Sequence, residues 1–191
     1  MLVRHPQTVA NAERRFIGRS DSPLTALGVA QRAALAQAVA AFAPLHVFSS
    51  PIPRALDAAR IAAPPGVAVI VEDDLIEVDF GLAEGLTHSE MAERGIALDY
   101  DGPGPVAPGG ETLAALEARV ARVGARIAAA GARSAVFTHG GVFRRLLGAW
   151  LELPREAIWR FSVTNAAVAV IKVADGYATL ESFGPALAPE P

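Results

Sequence analysis

Apolar residues recur along this chain at two spacings, and the switch between the spacings lays out the elements. "MLV" is the end of a buried strand, and it runs straight into a polar loop, "RHPQTVANAERRFIGRSDSPL". From Ala26 the spacing becomes helical: "ALGVAQRAALAQAVAAF" sets apolar residues three and four apart, with Thr25 as N-cap and Pro44 as the stop. "LHVFSS" is a short run of strand formers ended by "SPIP". A second alanine-rich helix, "RALDAARIAA", is closed by Pro64, Pro65 and Gly66, and "VAVIVE" is the next strand. "DLIEVDFGLAEGLTHSEMAERG" holds an extended stretch and a short helix after Thr87 or His88; "DYDGPGPVAPGGE" is a Pro/Gly-dense surface loop. Next come a long amphipathic helix, "ETLAALEARVARVGARIAAAG", with Gly131 suited to its C-cap, the strand "SAVFTH" and the helix "GGVFRRLLGAWL". "NAAVAVIKVADGYATLESF" is a two-stranded hairpin turning at Asp175 and Gly176, and the tail "GPALAPEP" is expected to fray.

Strands alternating with helices predict an α/β fold, with a mostly parallel sheet covered on both faces and a hairpin at its C-terminal edge. At 191 residues the chain suits one domain spanning its whole length. Composition adds exclusions. Apolar residues make up 52%, enough for a packed core, and a net charge of −3 lacks the basic stripe that a nucleic-acid partner requires. The absence of cysteine rules out disulfides, thiolate metal sites and a cysteine nucleophile, and fits a cytoplasmic location. No apolar run approaches membrane-spanning length, so no membrane association is expected. The hairpin strand "AAVAVIKV", read as a sheet edge, would pair with a second copy to give a homodimer.

The parallel sheet changes how the polar residues read, because ligands of such sheets sit beyond the carboxyl ends of the strands. His5 directly follows the first strand and His139 directly follows "SAVFT", so both imidazoles belong to one rim. Arg4 adjoins His5, Arg54 begins one helix, and His139, Gly140 and Gly141 open another, where backbone N–H groups lack partners. Two guanidiniums, two imidazoles and two helix starts suit a compact, multiply charged anion. Phosphate fits best, because arginine's planar fork binds its oxygens in pairs. A neutral imidazole whose other ring nitrogen is held by a backbone carbonyl can attack phosphorus and form a phosphohistidine, and nearby arginines favour that neutral ring. Glu77, ahead of a glycine turn in "LIEVDFG", can give the leaving alkoxide a proton and take one from water, with Glu84 as its competitor. Arginines and helix ends would stabilise the developing charge, so no metal or other cofactor is required.

Taken singly, each residue has a plainer reading: His5 as a surface histidine, Arg54 as a first-turn arginine, Glu77 as a solvated neighbour of Asp73, Asp74 and Asp79. Arg14, Arg15 and Arg19 suit a solvated loop face or a hold on a substrate's non-reacting end.

"LVRHPQTVAN" resembles the "RHG-x-T" signature of the histidine phosphatase superfamily, the phosphoglycerate-mutase-like proteins. The similarity continues through "GRSDSPLTALGVAQ", "SSPIPRALDAARIAA", "EVDFGLAEG", "PGGET" and "FTHGGVFRRLL", in family order over nearly the whole chain. The resemblance implies a three-layer α/β/α sandwich. It implies His5 as the phosphorylated nucleophile, Arg4, Arg54 and His139 as the rest of the phosphate pocket, and Glu77 as the proton donor. Asn11, Thr8, Arg19 and the Gly140 amide are its further substrate contacts. The implied activity is a metal-independent phosphomonoesterase acting on a small phosphorylated metabolite. Pro6 and the "GRSD-x-PLT" stretch resemble the α-ribazole phosphatase-like branch, which makes α-ribazole phosphate a candidate substrate.

Two positions depart from the family pattern. Pro6 replaces the glycine after the nucleophile, which removes an N–H and fixes φ at a negative value. Ala83 stands where relatives often carry tryptophan, which would loosen packing near the pocket. Three alternatives stay open: a mutase on a small phosphorylated acid, a non-catalytic phospholigand-binding module made inert by Pro6, and a metallohydrolase using His5, His139 and nearby acids. Glycolytic mutases carry longer cover segments than this chain, which tips the balance toward hydrolysis. The last alternative is disfavoured by ligand spacing and by arginines that would repel a cation.

Overall fold

The computed structural model describes residues 1–174 and 176–186. Six strands form one sheet in the order β3-β2-β4-β1-β5-β6. They are β1 (Leu2–Arg4), β2 (His46–Ser49), β3 (Val69–Val71), β4 (Ser134–Thr138), β5 (Ala167–Ala174) and β6 (Tyr177–Pro185). The first four pair in parallel, and β5 and β6 add an antiparallel hairpin. The helices are α1 (Val9–Ala12), α2 (Ala26–Phe42), α3 (Pro53–Ala62), α4 (His88–Glu93), α5 (Leu113–Ala129) and α6 (Gly140–Trp150).

Strand alternation builds the three layers. Val3, Val47, Ala135 and Phe137 point to one face, where Leu35 and Val39 of α2 and Ala58 and Ala59 of α3 cover them. Their neighbours Leu2, Phe48 and Val136 point to the other face, against Leu116 and Val120 of α5 and Phe143 and Leu147 of α6. The predicted α/β/α sandwich is therefore the observed fold.

Local signals set the helix ends as expected, with one added detail. Thr25 caps α2 by accepting the Gly28 N–H at 2.9 Å. Gly28 is obligatory for packing, because a Cβ there would stand 2.0 Å from the Gln7 carbonyl oxygen. At the other end α2 stops at Phe42, two residues before Pro44, with Ala43 in the left-handed region at φ +50°. Gly131 follows the end of α5 at φ +63°, a conformation that glycine adopts freely.

Three expectations need correction. The stretch read as loop from Arg4 to Leu24 contains α1, a single turn too short to show a period, held by a reciprocal Thr8–Asn11 capping box. The strand "AAVAVIKV" is not a sheet edge: β5 lies between β1 and β6, and its Val168 and Ala169 pair with Val3 and Leu2. The edge on that side is β6. Gly184 and Pro185, expected to fray, belong to β6, whereas Asp175 and residues 187–191 lie outside the described residues. No helix among the described residues is long and apolar enough to cross a membrane.

The topology decides where the chemistry sits. β1 and β4 run in register, with Arg4 opposite Thr138, and β4 runs in register with β2, with Phe137 opposite Ser49. The residues that follow, His5, His139 and Ser50, therefore emerge side by side from three adjacent strands.

Candidate active site

His5 is almost fully buried, and its two ring nitrogens are held differently. Nδ1 lies 2.7 Å from the Pro6 carbonyl oxygen, and Nε2 lies 3.3 Å from the Nε of Arg54. A carbonyl can only accept and a guanidinium N–H can only donate. Nδ1 therefore carries the hydrogen, and Nε2 carries the lone pair. Pro6 costs the site nothing visible: it is absent from the positive-φ positions among the described residues, so the turn does not need a glycine. The same carbonyl lies 3.5 Å from the side-chain amide of Asn165, which also reaches the His5 carbonyl and the Asn11 side chain.

Arg54 owes its aim to a loop rather than to its own helix. It stands at the start of α3, and its Nη groups donate to the carbonyls of Ser20 at 2.6 Å, Gly18 at 3.0 Å and Ile17 at 3.2 Å. That loop is pinned in turn by Glu84, whose carboxylate accepts the Gly18 N–H, the Ser20 N–H and the Ser20 hydroxyl. Gly18 packs so closely that a Cβ would stand 1.9 Å from the Val78 carbonyl oxygen. The Glu84 carboxylate thus clasps the loop that aims Arg54. Replacing it with glutamine swaps an acceptor oxygen for a donor facing those N–H groups. The expected result is a roughly tenfold or greater fall in kcat/KM and a loss of about 1–2 kcal/mol in stability. Steady-state kinetics and a urea midpoint would test both parts.

The ring centroids of His5 and His139 lie 5.1 Å apart. His139 is fully buried; its Nε2 shares a 2.7 Å hydrogen bond with the Ser50 hydroxyl, and its Nδ1 has no partner among the described residues. Arg4 gives one N–H to the Val163 carbonyl at 2.6 Å and lies against Gly140, while its Nε is buried and unpartnered among the described residues. Arg4, His5, Arg54 and His139 are therefore gathered at one place. The four substrate-contact candidates differ. Gly140 opens α6 beside Arg4, and Asn11 reaches the loop of His5 through Asn165. Thr8 is fully buried and its hydroxyl is engaged with Asn11, so its visible work is to shape α1. Arg19 stands at the rim, paired with Glu111 at 3.4 Å.

Glu77 is buried, and each of its carboxyl oxygens accepts a backbone N–H at 3.0 Å, one from Val78 and the other from Gly141 at the start of α6. This ties the acid to the helix that follows His139. Its backbone is held by Arg119, which donates to the carbonyls of Asp74, Ile76 and Glu77 and forms a 2.7 Å ion pair with Glu111. Sequence reading passed over Arg119, Glu111, Ser50 and Asn165. Ser50 and Glu111 lie in the quoted "SSPIPRALDAARIAA" and "PGGET" blocks, but Arg119 and Asn165 carried no signal of a site role. Ala83 is fully buried in the larger apolar cluster, so its small side chain opens no exposed gap.

Burial, together with the charges of Arg54 and Arg4, holds the His5 imidazole well below its usual value of 6.5. Burial and Arg54 do the same for His139. An unfolded chain would bind protons on these rings near pH 6.5, where the folded protein does not. Their contribution to stability is therefore complete above the unfolded value and is lost as pH falls below it. The two rings together predict a loss of stability with falling pH about twice as steep as a single such ring would give. Urea midpoints taken between neutral pH and about pH 5 should fall, and a His139→Gln variant should fall about half as steeply. Identical profiles for the two proteins would contradict this account.

Among the described residues no group of three or more His, Asp and Glu is arranged to hold a metal ion. A cavity of about 500 Å³ lined by Ile127, Trp150 and Lys172 lies at the opposite ends of β1 and β5, away from this chemistry.

The sequence profile of the histidine phosphatase superfamily (branch 1) matches residues 1–185. The protein named "Probable phosphoglycerate mutase GpmB" from Enterobacter sp. (strain 638) is 33% identical over 178 residues, which cover 89% of this chain and 82% of that protein. Among solved structures, the α-ribazole phosphatase from Shigella flexneri superposes with a TM-score of 0.86 at 26% identity, over 97% of this chain and 95% of that one. A mycobacterial glucosyl-3-phosphoglycerate phosphatase complexed with VO3 has a TM-score of 0.81 at 25% identity, over 96% of this chain and 97% of its own.

Proposed function

The chain belongs to the histidine phosphatase superfamily, and on that footing we propose that it is a metal-independent phosphomonoesterase working through a phosphohistidine at His5. The observation that carries this reading is the two-sided hold on the His5 ring, which leaves the Nε2 lone pair facing Arg54. A phosphate bound between Arg4, Arg54 and His139 would have its phosphorus in front of that lone pair. Nε2 then bonds to phosphorus as the bond to the ester oxygen breaks. The Nδ1–H, held by the Pro6 carbonyl, supports the positive charge that appears on the ring. The Glu77 carboxyl gives its proton to the departing alkoxide. In the second half-reaction Glu77 takes a proton from water, the water oxygen bonds to phosphorus, and the P–N bond breaks. Arginine N–H groups and the first amides of α6 stabilise the charge on the phosphoryl oxygens in both steps.

The substrate is a small phosphorylated metabolite. α-Ribazole phosphate is a candidate on the similarity to the Shigella phosphatase and on Pro6. Phosphoryl transfer between positions of a phosphorylated acid is the second reading, supported by the 33% identity to the GpmB protein.

The decisive experiment is to mix the protein with an aryl phosphate labelled at phosphorus, quench in alkali, and map acid-labile label to a peptide containing His5. Absence of label together with inactivity across a broad phosphomonoester panel would end the proposal. Turnover that depends on a bisphosphate primer would favour the mutase.

A further inference from the structure

Ser50 and His139 are both fully buried and bonded to each other, yet the chemistry above gives Ser50 no task. The serine is fixed through its backbone. Its N–H donates to the Phe137 carbonyl at 3.0 Å, which locks it to β4, the strand that leads into His139. Its Oγ accepts the Ile52 N–H at 3.3 Å and lies 2.7 Å from Nε2 of His139. His139 stands at the N-cap of α6, but its side chain makes no capping bond. Ser50 is therefore the ring's hydrogen-bond partner among the described residues, and Nδ1 has none.

Counting hydrogens sets the direction of the 2.7 Å bond. A buried hydroxyl that gives its hydrogen to nothing is costly. Oγ acts as acceptor toward Ile52, so among the described residues the acceptor for its own hydrogen is Nε2 of His139. Nε2 then carries the lone pair, and the hydrogen of the neutral ring sits on Nδ1. Burial and the charges of Arg54 and Arg4 keep that ring neutral. The Nε of Arg4 is a second buried donor without a partner among the described residues. Two such donors, at the place where Arg4, His5, Arg54 and His139 meet, match the oxygens of a bound anion. With the other tautomer, Nδ1 would turn a lone pair on those oxygens and repel them.

The two histidines are thus set by opposite means. At His5 a carbonyl accepts the Nδ1–H, which leaves a lone pair on Nε2 to attack. At His139 a hydroxyl donates to Nε2, which leaves an N–H on Nδ1 to give.

We propose that Ser50 is a positioning residue that fixes the tautomer of His139, so that this histidine serves the phosphoryl group as a neutral Nδ1–H donor and not as an imidazolium. The identity of the anion rests on the phosphatase reading above.

The test is a long-range proton–nitrogen NMR spectrum of protein labelled with ¹⁵N at its histidines, with His139 assigned by its loss in His139→Gln. At neutral pH the wild-type ring should show a protonated Nδ1 and an unprotonated Nε2. A protonated Nε2, or a ring protonated at both nitrogens, would overturn the inference. In Ser50→Ala the fixed pattern should be lost as the Nε2–H form appears, and inorganic phosphate should bind about tenfold more weakly by calorimetry. Ser50→Thr keeps the hydroxyl and should restore the pattern and most of the affinity. A serine that only supports the start of α3 through Ile52 would lower the urea midpoint in Ser50→Ala and leave ring and affinity as in the wild type. That result would also sink the proposal. The wild-type spectrum still exposes it to refutation if a variant fails to fold. Failure of the phosphatase reading shows separately, as missing acid-labile label at His5 with the His139 tautomer as expected.

Discussion

Alanine at position 5 is expected to abolish phosphate release, with a loss of at least about 10³-fold, and to eliminate acid-labile phosphoprotein. The expectation follows from the division of labour around the ring. The Pro6 carbonyl and Arg54 fix one tautomer, whereas the ring of His139 is tied to the Ser50 hydroxyl instead. Phosphate binding should survive, because Arg54 keeps its bonds to Ile17, Gly18 and Ser20 and Arg4 keeps its bond to Val163. Calorimetry with inorganic phosphate would separate the two effects. A His5→Ala protein that still turns over would remove the phosphohistidine from the mechanism. A wild type that binds phosphate but never turns over would leave a phospholigand-binding module.

Glutamine at position 77 should produce a loss that depends on the leaving group. An alkyl ester expels a strongly basic alkoxide that needs a proton, so its hydrolysis should fall about 10²–10⁴-fold. A nitrophenyl ester expels a stable phenolate, so its first turnover should fall far less. The second half-reaction still lacks its base, and phosphohistidine should accumulate after a burst of phenolate. Rapid-quench measurements on both esters read this directly. Equal first-turnover losses would mean that Glu77 only supports the start of α6 through Gly141, and the proton donor would have to be sought elsewhere.

Much of this architecture is readable from local pattern. Helical and strand spacing, Thr25, Gly131 and the prolines mark element ends, and that information sits within a few residues of each boundary. Arg4, His5, Arg54 and His139 are readable for a related reason: each ends or directly follows a strand or opens a helix, and a parallel sheet sends such positions to one rim. Where reading stopped short, the signal was not local. Glu77 and Glu84 lie seven residues apart in similar acidic surroundings. Only the packing of the segment from Ile17 to Ser20 against Val78 sets one against the start of α6 and the other as a clasp on the Arg54 loop. The edge role expected of β5 failed because β-strand composition does not encode which neighbour a strand takes. A single turn such as α1 has no period to detect.

The amino-acid sequence by itself determined the alternation of elements, the kinds of side chain available and the order of the motifs, because each depends on residues within one or two turns of each other. Tertiary structure alone decided which ring nitrogen of His5 carries the lone pair, which glutamate accepts the Gly141 N–H at the start of α6, and how Asn165, Arg119 and Ser50 support these residues. Those assignments depend on hydrogen bonds and charge contacts that mostly join residues tens to more than a hundred positions apart, such as Asn165 and Asn11. Such contacts come into being only when strand register closes the sheet and the loops settle against it.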